Sequence, residues 1–361
     1  MASQVHQDHV TSRILFLIAF LCYRFVDGTR ISNSIHEYAK QSEDAFSHPL
    51  LKNHIIQMRP SSYPNGLKAG NSTELLQEKG MCPEGTIPIA RTHLFRHPKT
   101  SPVLLNRTNA FSPPVHEYAQ VSLESGYYYG AHAKLNVWNP AKANDGEFSL
   151  SQIWVLSGLD QDLNSIEAGW QVFPGDNKPR TFIYWTRDNY GQTGCYDLVC
   201  PGFVQTSSKL ALGTPIRPVS IYDGNQYDRD IAVHKDRESG NWWLQIRGQD
   251  IGYWPSSIFT TLAESATRIN WGGEIVNYGL NGRHTSTQMG SGHFPSEGYK
   301  KAAVLFKLGY IDDSGVLRDP DGLEPYITKS SCYDLQFGEM GYDDFGVHFY
   351  FGGPGYSTQC P

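Results

Sequence analysis

Charge is scarce in this sequence. Only 18% of its 361 residues are Asp, Glu, Lys or Arg, and the formal net charge is −6. A mildly acidic balance without a basic cluster argues against a nucleic-acid partner. Long apolar runs are scarce as well. The run Ile14 to Cys22, after Arg13, is too short to span a bilayer and, with Val26-Asp27-Gly28 beyond it, has the layout of a secretory signal. No later segment is long and apolar enough for a membrane span. The motifs of several enzyme classes are missing too. There is no His-Glu-x-x-His and no closely spaced His/Cys cluster, so neither a metal nor a cofactor is expected. His284 and His293 flank Gly290-Ser291-Gly292 without metal-ligand spacing and are expected to be solvated loop histidines. Ser291 is not in a Gly-x-Ser-x-Gly elbow, and there is no phosphate-binding Gly loop. None of the six Cys stands near an evident His partner, which argues against thiol catalysis.

What is present is glycine, proline and aromatic residues: 35 Gly, 21 Pro, and 13% Phe, Trp and Tyr. That composition belongs to a folded, turn-rich chain and favours strands over helices. Strand-like runs over 133–138, 148–156, 165–173, 181–186, 242–246 and 302–308 are separated by turn signals such as Asn139-Pro140 and Asp223-Gly224-Asn225. Many short alternating strands with Gly/Pro turns predict an all-β, antiparallel sandwich or barrel. One helix is expected over 256–266. The stretch 29–109 has a different texture, polar and irregular, with a short helix expected over 48–56 after Pro49 and two glycosylation sequons, at Asn71 and Asn106. The chain therefore divides into a signal (1–28), a small mixed pro-segment (29–109) and a catalytic domain (110–361).

Two glutamates carry the functional argument. Glu167 stands in Ser165-Ile166-Glu167-Ala168-Gly169-Trp170-Gln171-Val172, and Glu274 in Asn270-Trp271-Gly272-Gly273-Glu274-Ile275-Val276. A carboxylate in such company is costly to bury unless it is paired, protonated or catalytic. On a strand, Ile166, Ala168, Trp170 and Val172 share a core face, and Glu167, Gly169 and Gln171 share the other. Gly272, Glu274 and Val276 share a face in the same way. An ion pair with an Arg is the plain alternative for either Glu taken alone. As a pair on facing strands, one carboxyl would hold a proton while the other activates water. Their repulsion raises one pKa, so activity is expected in acid. Gln171 is a candidate donor to a developing oxyanion, and Tyr184 and Trp170 are candidates to line the groove. Gln288 is a second amide candidate, for which a loop hydrogen-bonding role is the stronger expectation. Two carboxylates in an aromatic groove also suit a glycoside hydrolase, and exposed aromatics on a sandwich suit a non-catalytic, carbohydrate-binding wall protein.

Parity organises the cysteines. Cys22 would leave with the signal and Cys82 with the pro-segment. Cys195, Cys200, Cys332 and Cys360 then remain, enough for two bridges. Pairing Cys195 with Cys200 closes a short loop, and pairing Cys332 with Cys360 pins the C-terminal tail. Disulfides suit an exported protein.

Five stretches resemble the plant neprosin family: Cys82-Pro83-Glu84-Gly85-Thr86-Ile87-Pro88-Ile89, Gly194-Cys195-Tyr196-Asp197-Leu198-Val199-Cys200-Pro201-Gly202-Phe203-Val204-Gln205, Ile251-Gly252-Tyr253-Trp254-Pro255, Trp271-Gly272-Gly273-Glu274 and Gln288-Met289-Gly290-Ser291-Gly292-His293-Phe294. The resemblance runs from about residue 50 to the C-terminus. It implies a secreted glutamic endopeptidase that cleaves after proline at acid pH, with a catalytic β-sandwich and an N-terminal activation peptide acting as its inhibitor. The family's catalytic glutamates fall on Glu167 and Glu274, and its closely spaced Cys pair on Cys195 and Cys200. Asp197 stands where the family commonly has Asn, a difference that bears on substrate preference rather than on catalysis. The expected substrate is a peptide or protein, proline-rich in character, and the expected location is the apoplast or the vacuole. The pro-segment is expected to fold over the groove, with 86–90 either lying in it as a substrate mimic or adding a strand to a sheet edge.

Overall fold

The computed structural model describes residues 21–24, 51, 54–67, 86–89, 114–279, 283–339 and 343–361. The strands among them are, in chain order, β1 Leu21–Arg24, β2 Thr86–Ile89, β3 Val115–Leu123, β4 Gly130–Asn136, β5 Ser149–Ser157, β6 Asn164–Val172 and β7 Pro179–Thr186. They continue with β8 Cys195–Tyr196, β9 Val204–Gln205, β10 Asp228–Lys235, β11 Trp242–Ile246, β12 Gln249–Trp254 and β13 Arg268–Asn277. The last are β14 Met289–Gly290, β15 Ala303–Ile311, β16 Leu317–Arg318, β17 Glu324–Ile327, β18 Asp334–Phe337 and β19 Phe349–Gly353.

They form two large antiparallel sheets. The seven-stranded sheet has the order β17-β3-β13-β5-β6-β7-β8. The ten-stranded sheet has the order β14-β19-β15-β4-β10-β11-β12-β9, with β16 beside β15 and β18 beside β19. Apart from these, β1, in the stretch read as a signal, pairs with β2 in a two-stranded ladder.

Period-two alternation is what makes two layers. On β6, Ile166, Ala168, Trp170 and Val172 enter the main core with Ile153 and Val155 of β5 and Trp271 and Ile275 of β13. The ten-stranded sheet answers with Ala131, Ala133 and Leu135 of β4, Ile231 and Val233 of β10, and Trp242 and Leu244 of β11. Indoles dominate this interface, and each buries roughly 150–250 Å². A buried indole N–H needs an acceptor, and two of them reach across the layers: Trp170 Nε1 donates to Asn136 O at 3.0 Å and Trp271 Nε1 to His132 O at 3.1 Å. Both acceptors lie on β4, so the same side chains that fill the core fix one sheet against the other.

The helix expected over 256–266 is absent. Across 256–266 there are two short 3₁₀ turns, Ser256–Ile258 and Thr261–Ala263. The backbone N–H groups of Thr260 and Leu262 donate to the side chain of Asn164 at 2.9 and 3.3 Å, which diverts them from a helical ladder. Of the helix expected over 48–56, Leu51 is in a 3₁₀ turn and its carbonyl accepts the His54 N–H at 3.0 Å, while 54–56 are non-helical and the Gln57 N–H donates to the Tyr253 hydroxyl at 3.0 Å; residues 48–50 and 52–53 lie outside the described residues.

The segment 54–67 is laid on the outer face of the ten-stranded sheet. Ile56 packs with Val204, Trp243 and Tyr253. Gln57 Nε2 donates to Asp236 at 2.6 Å, the Ser61 N–H to the same carboxylate at 3.2 Å, and Asn65 forms a bridge to Val316. This face is turned away from Glu167 and Glu274, so the segment 54–67 does not cover them. Residues 68–85 and 90–113, together with Cys82, Asn71 and Asn106, lie outside the described residues.

Candidate active site

Glu167 and Glu274 share the outer face of the seven-stranded sheet. They are not on facing or adjacent strands, because β5 runs between them: Glu274 is in register with Leu150, and Glu167 with Trp154. Midway between those two positions stands Gln152, in register with Gly272 on one side and Gly169 on the other. Those glycines are steric necessities. A Cβ on Gly169 would lie 2.6 Å from Gln152 Cβ, and one on Gly272 would lie 2.5 Å from Gln120 Cβ. With no side chains there, the Gln152 amide can lie over the sheet between the two acids.

Glu167 is 6% exposed and takes three donors. Gln152 Nε2 reaches Oε2 at 2.9 Å, while Ser165 Oγ and the Tyr190 hydroxyl reach Oε1 at 3.0 and 2.7 Å. Burial pushes its carboxyl up to about 7, the charge of Glu274 adds to the rise, and the three donors only partly offset it. The acid is therefore protonated through the whole acidic range. Glu274, also buried, has different partners. His116 Nδ1 lies 2.5 Å from its Oε1, and the Tyr118 hydroxyl hydrogen-bonds to it. Burial works against charge on His116, but its bond to Glu274 and the charges of both glutamates raise its pKa.

Tyr190 arrives from a turn held by Asp188, whose carboxylate accepts Thr193 Oγ1 at 2.6 Å and the N–H groups of Gln192 and Thr193 at 2.8 and 2.9 Å. Asn189 and Tyr190 both have positive φ, 52° and 61°. That is uncommon for residues with a side chain, and for a bulky one such as Tyr190 it marks a strained turn. The turn aims the phenol at Glu167. Tyr184, in register with Glu167 on β7, stacks on Tyr190 with centroids 5.9 Å apart and meets Tyr196 edge-on at 4.7 Å. Burial and the carboxylate of Glu167 raise the pKa of Tyr184, so it remains a phenol. Across the face, Tyr118 meets Trp154 and Tyr326 at 6.5 and 6.0 Å.

The other candidates separate. Gln171 sits on the same face of β6, two positions beyond Gly169, and bonds to Tyr196. Trp170 does not line the groove. It points to the opposite face, fully buried between the sheets, as its position in the alternation requires. Gln288 holds a loop instead: its Oε1 accepts the Ala141 N–H at 2.9 Å, and its own N–H donates to Ala141 O at 2.8 Å. Cys195 is bonded to Cys200, and Cys332 to Cys360. Asp197, inside the first loop, has φ 48°, a conformation that Asn and Asp tolerate better than other side chains. Its N–H donates to Ile183 O at 3.0 Å, and its Oδ1 accepts the Ile183 N–H at 3.0 Å. Burial pushes its carboxyl up to about 7. His284 is not a solvated loop residue. It is buried, with Nε2 2.9 Å from Glu117, because Glu117 lies on the core face of β3 and needs a partner. His293 is partly exposed and lies 2.9 Å from Glu297.

Fold and site together define a β-sandwich whose outer face carries a coupled pair of buried glutamates, one of them protonated, in a setting of tyrosines. The Neprosin family model matches residues 145–354 and the neprosin activation peptide model residues 31–121. The chain belongs to the neprosin family. The order of the two matches is that of a hydrolase precursor with its activation peptide in front. Among solved structures, scytalido-glutamic peptidase with a peptide-based transition state analogue is 10% identical, with 66% of this chain and 98% of that chain covered at a TM-score of 0.35. SCP-B, a member of the eqolisin family of peptidases in complex with the tripeptide Ala-Ile-His, gives the same four values. CG-16, a homodimeric agglutinin from chicken liver, is 7% identical over 43% of this chain and 93% of that chain, with a TM-score of 0.25.

Proposed function

We propose that this protein is a secreted glutamic endopeptidase, made as a precursor with its pro-segment as inhibitor, that cleaves peptide bonds after proline at acid pH. The observation that carries the proposal is the buried, protonated Glu167 coupled to Glu274 on one face of a neprosin-family sheet. Glu274, as carboxylate, takes a proton from water while the water oxygen bonds to the scissile carbonyl carbon. Glu167 gives its proton to the carbonyl oxygen, which makes the tetrahedral intermediate neutral. Collapse then breaks the C–N bond. The proton on Glu274 passes to the leaving nitrogen, and a hydroxyl proton of the intermediate returns to Glu167, so the pair is restored. Gln152 and Tyr190 hold Glu167 in one orientation throughout. Preference for proline is supported by the ring faces of Tyr118, Trp154, Tyr184 and Tyr190, since aromatic grooves accept proline in its extended conformation. Secretion is supported by the N-terminal sequence and the two disulfides.

Incubation of processed protein with a proline-containing peptide in acid, read by mass spectrometry, tests the proposal. Cleavage is expected on the carboxyl side of proline. Glu167→Gln and Glu274→Gln are each expected to lower turnover by at least about 100-fold with the circular dichroism spectrum unchanged. Near wild-type turnover by either variant would remove the pair from the chemistry. Cleavage elsewhere in the peptide would leave a peptidase without the proposed specificity.

A further inference from the structure

We infer that His116 is a positioning residue that makes the two glutamates unequal: its imidazolium, bonded through Nδ1 to Glu274, keeps the negative charge on Glu274 and leaves the proton of the pair on Glu167. The inference rests on the proposed glutamate mechanism and adds a basic residue to it. Two identical acids in one site share a proton without preference unless something asymmetric stands beside them. Here the asymmetry is geometric. His116 is on β3, two residues before Tyr118, and β3 is the neighbour of β13, so the ring lies at Glu274 and not at Glu167. Its side chain is 18% exposed, with Phe148 against its edge at 5.8 Å and Tyr118 stacked at 6.5 Å.

The groups facing His116 are few. Glu274 comes from β13, Glu167 acts on it from β6, and Tyr118, a phenol of raised pKa, comes from its own strand. Among the described residues no Lys or Arg pairs with either glutamate, so His116 supplies the positive charge at this site. Burial opposes that charge, and the hydrogen bond to Glu274 and the charge of that carboxylate are the main effects that outweigh it. The protonated ring beside Glu274 sets which carboxyl of the pair carries the charge and which the proton, the working form of one carboxylate and one acid. Loss of the cation makes a second proton easier to add, which silences the base.

The pH dependence of turnover tests this, because a side chain that only packs would change the rate without moving the profile. His116→Gln retains a hydrogen-bond donor of similar reach and cannot carry charge. Its acid limb is expected to move to higher pH, with kcat in the acid range down by at least about tenfold and KM within about threefold. A profile that falls in height but keeps both limbs in place would overturn the inference. A second measurement does not depend on activity or on the variant folding. In the wild-type protein labelled at histidine nitrogen, His116 is expected to titrate above the ordinary histidine value, and in Glu274→Gln its titration is expected to fall. A wild-type His116 that titrates at or below the ordinary value also overturns it. If Glu274→Gln keeps full turnover, the glutamate mechanism fails on its own, and the nitrogen titration still decides whether the ion pair exists.

Discussion

Burial and the charge of Glu274 place the Glu167 carboxyl near 7, and that has a consequence for stability as well as chemistry. A carboxyl whose folded-state pKa is raised is accommodated fully at pH values below its unfolded value, and it destabilises the fold as pH rises through the raised one. Turnover is therefore expected to fall as pH passes about 7, where Glu167 loses its proton. Between the ordinary carboxyl value and about 7 the folded state loses up to about 3 kcal/mol. Glu167→Gln keeps the volume and removes the titration. Its melting temperature should match the wild type in acid and exceed it above neutrality, although the variant is inactive. Equal melting curves at both pH values would mean that Glu167 is not buried as a neutral acid. The two glutamates were legible in the sequence because a carboxylate within an alternating apolar and glycine pattern has few inexpensive explanations. Trp170 shows the same rule applied against itself. The alternation that puts Glu167 on one face puts Trp170 on the other, and the indole is in the core. His116 and Tyr190 were not legible for two reasons. His116 lies on a strand whose sequence, Val-His-Glu-Tyr-Ala-Gln, mixes polar residues on both faces because Glu117 has a buried histidine partner. Tyr190 is delivered by a turn of positive φ tied to Asp188, and no periodicity announces that geometry.

The strands with the clearest alternation, β5, β6, β7 and β11, stand where the pattern puts them, since a buried face imposes its period on the sequence. Two-residue strands such as β8, β9 and β14 are too short to have a period. Sheet order was hidden for a different reason. β13 is inserted between β3 and β5, partners more than a hundred residues away in the chain, and local sequence has no record of such pairings. That order bears on processing. The activation peptide match extends to residue 121, yet β3, Val115–Leu123, is an interior strand, paired with β13 on one side and β17 on the other. Ala119 and Val121 are fully buried, and His116 and Tyr118 both touch Glu274. Cleavage within β3 would break two ladders and remove the partners of Glu274. The amino terminus of the activated protein is therefore expected to precede Val115, which terminal sequencing of the active form will read directly. An active form beginning beyond Leu123 would contradict the role assigned to this strand.

The two outer faces of the sandwich respond to acid in different ways. One keeps a protonated Glu167, and the other holds the segment 54–67 through groups whose pKa values favour the docked state only at higher pH. His234 lies beneath Tyr63, with ring centroids 6.0 Å apart, and burial pushes it down to about 4 against the charge of Asp236. Burial also lowers His54, which lies 2.7 Å from the Tyr253 hydroxyl. For Asp236 burial alone would raise the pKa, but the bonds from Ser61, Gln57 and Ser239 hold it below the usual carboxylate range. All three groups bind the segment best when His is neutral and Asp ionised. The histidine contribution is present above the ordinary value of about 6.5 and is lost as pH falls toward 4; that of Asp236 is lost lower still. Asp250 works the other way, since burial raises its pKa against bonds from Tyr63 and Gln245 and the charge of Arg59. One such group is set against three. Full rehydration of His234 alone amounts to up to about 3 kcal/mol. In an uncleaved Glu274→Gln precursor, amide exchange over 54–67, corrected for its intrinsic pH dependence, should accelerate between neutrality and about pH 4, the value to which burial takes His234. His234→Phe keeps a ring under Tyr63 and cannot take a proton, so it should flatten much of that acceleration. Protection that is independent of pH in the precursor, or unchanged acceleration in His234→Phe, would show that the segment is held by its apolar contacts with Trp243 and Tyr253 rather than by the titrating groups beneath it.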